Sequence, residues 1–123
     1  MSAESKRQQR FSGVVQQDVA DIFQKNGSLW LPGALVTVTK VRVTPDLGIA
    51  RIYLSFLGVK DKEAAINVVR KNSTEIRYKL GAKIRNQVKV VPELEFFIDD
   101  SGDYAEHMEQ LFDKINKESN QKS

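Results

Sequence analysis

Residues 70–101 read RKNSTEIRYKLGAKIRNQVKVVPELEFFIDDS and run from a basic helix into an apolar strand. Between Arg70 and Lys89 there are seven Lys or Arg residues and one acid, Glu75. Ile76, Leu80 and Ile84 recur every four positions, which places them on one line of a helix. Arg77 flanks that line on one side, and Lys79 and Lys83 flank it on the other. The pattern predicts a helix to about Asn86. Asn72 with Glu75 three residues on has the form of a capping box, so this helix starts there, after a break. Gln87 to Ile98 reads as a strand interrupted by Pro92, which removes a ladder donor and belongs at an edge or bend. Leu94, Phe96 and Ile98 alternate with Glu93 and Glu95. A rigid run of cations held by a buried strand suits a polyanion.

Working back from Arg70, Ala65, Ile66, Val68 and Val69 mark a helix over 62–71, preceded by Gly58 and Asp61. Ile49 to Leu57 reads as a strand with Ala50, Ile52, Leu54 and Phe56 on one face. Leu35 to Val43 is its antiparallel partner across the Thr44–Gly48 turn, where Pro45 sets φ and Gly48 relaxes the exit. The open face of this hairpin carries Lys40, Arg42, Arg51 and Tyr53, which suits RNA and equally an ordinary wet sheet. Phe11, Val14, Val15, Val19, Ile22 and Phe23 form the stripe of a first helix, from Arg10 to an end at Asn26-Gly27. Met1 to Gln9 is polar and frayed. Lys6, Arg7 and Arg10 at its start oppose the helix dipole, leaving an external anion and a solvated tail as the two readings. Ser28 to Gly33 is a loop holding the only Trp, and Trp30 either stacks on a base or, the favoured reading, caps the core.

Beyond the strand, Asp99 to Asp103 is a turn. Asp103 and Glu106 form a second capping pair. A last helix over 104–117 carries Tyr104, Met108, Leu111, Phe112 and Ile115, and 118–123 is a polar tail. The order is helix, strand, strand, helix, helix, strand, helix. It predicts an α+β domain with a three-stranded sheet and helices on one face. Paired helices between the second and third strands are the order of a type II K-homology (KH) RNA-binding domain. One domain over 8–117, with tails at 1–7 and 118–123, fits the length of 123 residues.

Composition narrows the function classes. The chain has no cysteine, which excludes disulfides and thiolate chemistry and allows a reducing compartment. No apolar run approaches the ~20 residues of a membrane span, and the first ten residues lack the apolar core of a secretory signal. Net charge is +3, but residues 1–90 carry 16 basic and 7 acidic side chains, while residues 91–123 carry 3 and 9. That asymmetry points to a body facing nucleic acid and an acidic end outside the contact. His107, the only histidine, falls on the acidic last helix and reads as a surface residue. Asp99, Asp100 and Asp103 lack the calcium-loop pattern. No catalytic constellation, P-loop, metal spacing or cofactor motif is present, so no enzyme is expected.

Three segments resemble the bacterial ribosome-binding factor A family. They are Ala50-Arg51-Ile52-Tyr53-Leu54-Ser55-Phe56-Leu57, Ile76-Arg77-Tyr78-Lys79-Leu80-Gly81 and, most specifically, Val91-Pro92-Glu93-Leu94-Glu95-Phe96-Phe97-Ile98-Asp99-Asp100-Ser101. The resemblance covers about residues 8–117. It implies a type II KH-like fold and a non-enzymatic cytoplasmic factor, monomeric off the ribosome. Such a factor binds free 30S subunits near the neck and decoding region and leaves before translation. It assists late maturation and 5′-end processing of 16S rRNA, with a tie to growth in the cold. It takes no cofactor, membrane or small-molecule substrate. KH domains clamp RNA with a Gly-x-x-Gly loop between the paired helices. None of the seven glycines has that spacing, and the family uses a helix kink, usually alanine-any-glycine. The equivalent positions here are Asn72-Ser73-Thr74. The family's aspartate-proline-arginine run before the first strand is replaced by Ser28–Gly33.

The residues expected at an RNA interface are Arg70, Lys71, Arg77, Lys79, Lys83 and Arg85 as phosphate contacts, with Ser73 and Thr74 at a helix start. Lys6, Arg7, Arg10, Lys40, Arg42 and Arg51 complete the set. Two other functions compete with the ribosomal one: a general single-stranded RNA- or DNA-binding module, and a protein-interaction adaptor using the acidic last helix.

Overall fold

The computed structural model describes residues 4–99. The expected last helix, the Asp103–Glu106 pair and His107 lie outside the described residues. Within them the order is α1 (Lys6–Trp30), β1 (Leu35–Val43), β2 (Ile49–Leu57), α2 (Lys62–Lys71), α3 (Ser73–Ile84) and β3 (Glu93–Ile98). This is the expected KH-like order, and both hairpin strands and α2 have the expected bounds.

Helix α1 begins earlier and ends later than its apolar stripe. Ser5 accepts from the Gln8 amide, and Gln8 Oε1 accepts in return from the Ser5 amide. Gln8 is buried and its Nε2 donates to the Val43 carbonyl at 3.0 Å, so the first turn is anchored to β1 rather than frayed. The expected stop at Asn26-Gly27 does not occur. Gly27 is buried inside the helix, and Asn26 Nδ2 donates back to the Ile22 carbonyl. Trp30 meets Phe23 edge-on at 5.8 Å, which packs the last turn onto the core. The helix stops at Leu31, because Pro32 disfavours a helical residue before it.

The sheet order is β1-β2-β3, so β2 is central. β1 and β2 are antiparallel, with Val41 opposite Ile52, and the register shifts between Val38 and Lys40. That bulge at Thr39 restores Val38 and Val41 to the same buried face. In the connecting turn the left-handed residue is Leu47 (φ 59), not Gly48 as the turn pattern suggests. Burial of Leu47 against the core holds that conformation. β3 lies parallel to β2, with Phe96 opposite Ile52. A parallel neighbour needs a long crossover, which α2 and α3 provide.

All three helices pack on one face. α1 lies over β1, α2 over β3, and α3 contacts both α1 and β3. Val15, Val19, Ile52, Leu54, Ile66, Val69, Ile76 and Leu80 are fully buried between the layers. The opposite face is open among the described residues.

Two boundaries around α3 differ from expectation. The helix ends at Ile84 rather than Asn86, and the amides of Gln87 and Val88 turn back to the Ile84 carbonyl. Residues 87–92 are a loop rather than strand. Pro92 is fully buried and Val88 and Val91 pack on the core, so side-chain burial holds this segment without a ladder. Gly81 lets the loop come close: a Cβ there would lie 3.0 Å from Val91 Cγ2.

Candidate RNA interface

The α2–α3 junction is the first part of the site. Asn72 separates the helices at φ −95°, ψ 10°. The expected capping box does not form. Asn72 Nδ2 instead donates to the Val68 carbonyl at 2.8 Å, closing the end of α2. Its side chain makes no hydrogen bond to α3, and Glu75 lies 3.9 Å from Lys79. The break thus exists without glycine, because its backbone has a negative φ open to any L residue. Arg70 and Lys71 close α2, and Ser73 and Thr74 open α3 beside them. Arg70 Nη2 donates to the Phe96 carbonyl at 2.7 Å. A groove of about 390 Å³ lies here, between Arg70 and Ser73 and the edge residues Leu94–Phe97 of β3.

The cations of α3 do not share one face. Arg77 turns toward β3. Its Nε donates to the Pro92 carbonyl at 3.0 Å and its Nη2 to the Val91 carbonyl at 2.7 Å. Glu93 lies 3.8 Å away. Arg77 is therefore a clamp holding the 87–92 loop to α3. Lys83 turns the other way, to Asp21 of α1, and its Nζ donates to Oδ2 at 2.7 Å. Lys25 reaches the same carboxylate at 3.2 Å. These two ammonium groups hold the Asp21 carboxyl below its ordinary 3.8, and Asp21 raises Lys83 above its ordinary 10.5. Arg85, just past the helix, is exposed and makes no ion pair among the described residues.

A second cluster joins the start of α1 to that loop. Lys6, Arg7 and Arg10 line a groove of about 300 Å³ whose floor is Phe11, Val14 and Val88. An adjoining groove of about 490 Å³ runs past Leu47 to Lys89 and Val90. Lys89 is absent from the residues expected at the interface, because a strand over 87–98 would have carried it into the sheet. The basic count over 70–89 contains the signal, but the loop that exposes it is a tertiary feature.

The third cluster is the open sheet face. Lys40 pairs with Tyr53 across the strands, and Arg42 with Arg51. Lys40 Nζ sits 4.6 Å from the Tyr53 ring centroid, and Tyr53 stacks on Phe97 at 5.4 Å. Arg51 Nε donates to Glu95 at 3.1 Å, and Arg42 lies 3.8 Å from Glu4. The expected cations and hydroxyls thus fall at the junction, the α1 start, the sheet face and the flanks of α3, on more than one side of the molecule.

The family model for ribosome-binding factor A matches residues 7–112. The chain belongs to the ribosome-binding factor A family. The match takes in every cation named above except Lys6. The chain is 38% identical over 112 residues to ribosome-binding factor A of Cytophaga hutchinsonii, covering 91% of this chain and 84% of that one. Its fold is like the crystal structure of ribosome-binding factor A from Thermus thermophilus. The TM-score is 0.63 at 19% identity, over 74% of this chain and 94% of that one. It is also like the Thermus thermophilus homology model fitted into a cryo-electron-microscopy map of a 30S complex. There the TM-score is 0.60 at 21% identity, over 72% and 91% of the two chains.

Among the described residues no three His, Cys, Asp or Glu side chains converge as metal ligands, and no helix is long and apolar enough to cross a membrane. The arrangement offers cations, helix-start hydroxyls and shallow grooves. Their chemistry is that of binding an extended anion.

Proposed function

We propose that the chain is a non-enzymatic assembly factor of the cytoplasm that binds free 30S subunits through 16S rRNA. In this reading it assists late maturation and 5′-end processing of that rRNA, most of all in the cold, and is a monomer when free. Membership of the ribosome-binding factor A family carries the reading, and the Thermus thermophilus relative fitted to a 30S complex supports it. The cationic surfaces agree with it. Neutralised phosphates supply most of the sequence-independent affinity for nucleic acid. The best phosphate contacts are exposed cations without an acidic partner among the described residues, including Lys71, Arg85 and the trio Lys6, Arg7 and Arg10. Arg77, Lys83 and Arg51 hold the protein together first and reach RNA with whatever of the guanidinium or ammonium remains exposed.

Deleting the gene should make immature small subunits and unprocessed 16S precursor accumulate, more at low temperature than at high. Normal subunit profiles and normal rRNA ends without the protein would sink the proposal. Sucrose-gradient co-sedimentation tests the interface. Glutamate at Lys71 and Arg85 together should abolish association with free small subunits and leave the melting transition in place.

A further inference from the structure

We infer that a trough from the start of α1 along α3 is a track for single-stranded RNA, in which one base stacks on the ring of Tyr78. This deepens the ribosomal reading and rests on it.

Neighbouring grooves adjoin through shared lining residues. The two at the α1 start share Arg7, Leu47, Gln87 and Val88. The second of them shares Lys89 and Val90 with a groove of about 570 Å³ along α3. That one meets the β3-edge groove at Ser73. A single strand can follow this path from Lys6 to Arg70.

Tyr78 lies on the α3 wall of the trough. It is off the buried line of Ile76, Leu80 and Ile84 and is 80% exposed. No hydrogen bond, ion pair or ring contact engages it among the described residues. Val90, from the loop, lines the same groove and is 72% exposed. An exposed aromatic beside an exposed β-branched residue makes an apolar slot, and Thr74, Arg77 and Lys89 form its polar rim. A nucleobase has an apolar face and a charged backbone beside it, and the slot with its rim matches both. Bases in a duplex stack on each other and are not offered singly, which makes the ligand a single strand.

Charge selects a polyanion over an apolar peptide. Lys6, Arg7, Arg10 and Lys89 line the path and have no acidic partner among the described residues. The three acids on the path are locally engaged. Asp46 accepts from the Thr44 hydroxyl at 2.7 Å and the Gly48 amide at 3.0 Å, Glu93 faces Arg77, and Glu95 accepts from Arg51 at 3.1 Å. By contrast Lys79 and Lys83, which line none of these grooves, have carboxylate partners.

The test uses the full chain, a labelled short oligoadenylate, a duplex RNA of equal length and free small subunits. Tyr78→Ala should weaken oligoadenylate binding about tenfold, the usual effect of removing one stacking aromatic. The slope of log affinity against log salt should not change, because no phosphate contact is lost. Tyr78→Phe should bind like the parent, and Lys89→Gln should weaken binding and flatten the slope by about one. Tyr78 is exposed, so the alanine variant should melt with the parent, which separates lost stacking from lost folding. Equal affinity of Tyr78→Ala and the parent, failure of Tyr78→Phe to bind, or equal binding of duplex and single strand would each overturn the track. So would loss of co-sedimentation by Tyr78→Ala with unchanged oligoadenylate affinity, which would make Tyr78 a protein contact. A parent chain that sediments with subunits but ignores oligoadenylate overturns the track alone. A parent that does neither overturns the ribosomal reading as well.

Discussion

Arg77 shows how one side chain can be read as a ligand contact and turn out to hold the site together. Its guanidinium forks onto two carbonyls, of Val91 and Pro92, in a segment with no ladder of its own. A lysine has the charge but not the planar fork. Arg77→Lys should therefore lower stability by roughly 1–2 kcal/mol, the cost of leaving a partly buried acceptor poorly paired. Denaturant unfolding measures it, and a variant as stable as the parent would remove the clamp. Asp21 and Lys83 give a pH-dependent counterpart. A carboxylate whose folded pKa is depressed adds stability above its unfolded value near 3.8, and that stability is lost as pH falls through the folded pKa. A lysine whose folded pKa is raised adds stability below 10.5, lost as pH rises through the folded pKa. Parent and Asp21→Asn should differ in melting temperature between those limits and converge at acid pH. The gap should be small, since the pair is on the surface, and should shrink with salt.

At the scale of elements, the α2–α3 break is achieved by an asparagine that bonds backward. Two amide groups converge on the end of α2: the Asn72 backbone N–H reaches Val68 and Val69, and its side chain reaches Val68. Because φ at Asn72 is negative, glycine has no conformational advantage there. Asn72→Gly should lose the side-chain bond and enlarge the unfolded ensemble, costing about 1–2 kcal/mol. Thermal melts read that loss, and a stabilised glycine variant would show that the break prefers a left-handed residue. The capping-box pattern misleads here because an amide side chain can serve the helix before it or the helix after it. Residue spacing does not choose between them. The end of α1 is similar: Asn-Gly is a common stop, but the Phe23–Trp30 contact keeps the helix going for another turn.

For the whole molecule, charge is distributed rather than gathered on one helix. Among the described residues, cations without acidic partners line the trough, and the paired ones stitch α1, α3 and the sheet. Affinity for small subunits should fall steeply with salt. Replacing Arg7 and Arg10 together by glutamine should reduce the log–log slope by about two with an unchanged melting temperature. An unchanged slope would place the start of α1 outside the contact.

Local residue pattern is enough to set the elements whose apolar period is clean. Leu35–Val43, Ile49–Leu57 and Lys62–Lys71 follow from alternation or helical spacing, since a side chain's face is set by the local geometry of its own element. The family is legible in the same way, in the run Val91–Ser101. Long-range packing is what makes residues 87–92 a loop, runs β3 parallel to β2, and leaves some cations free to meet a ligand. These outcomes depend on partners distant in sequence: Asp21 for Lys83, the Val91 and Pro92 carbonyls for Arg77, Phe96 for Arg70. A residue's charge is local, but its availability is set by what the fold brings beside it.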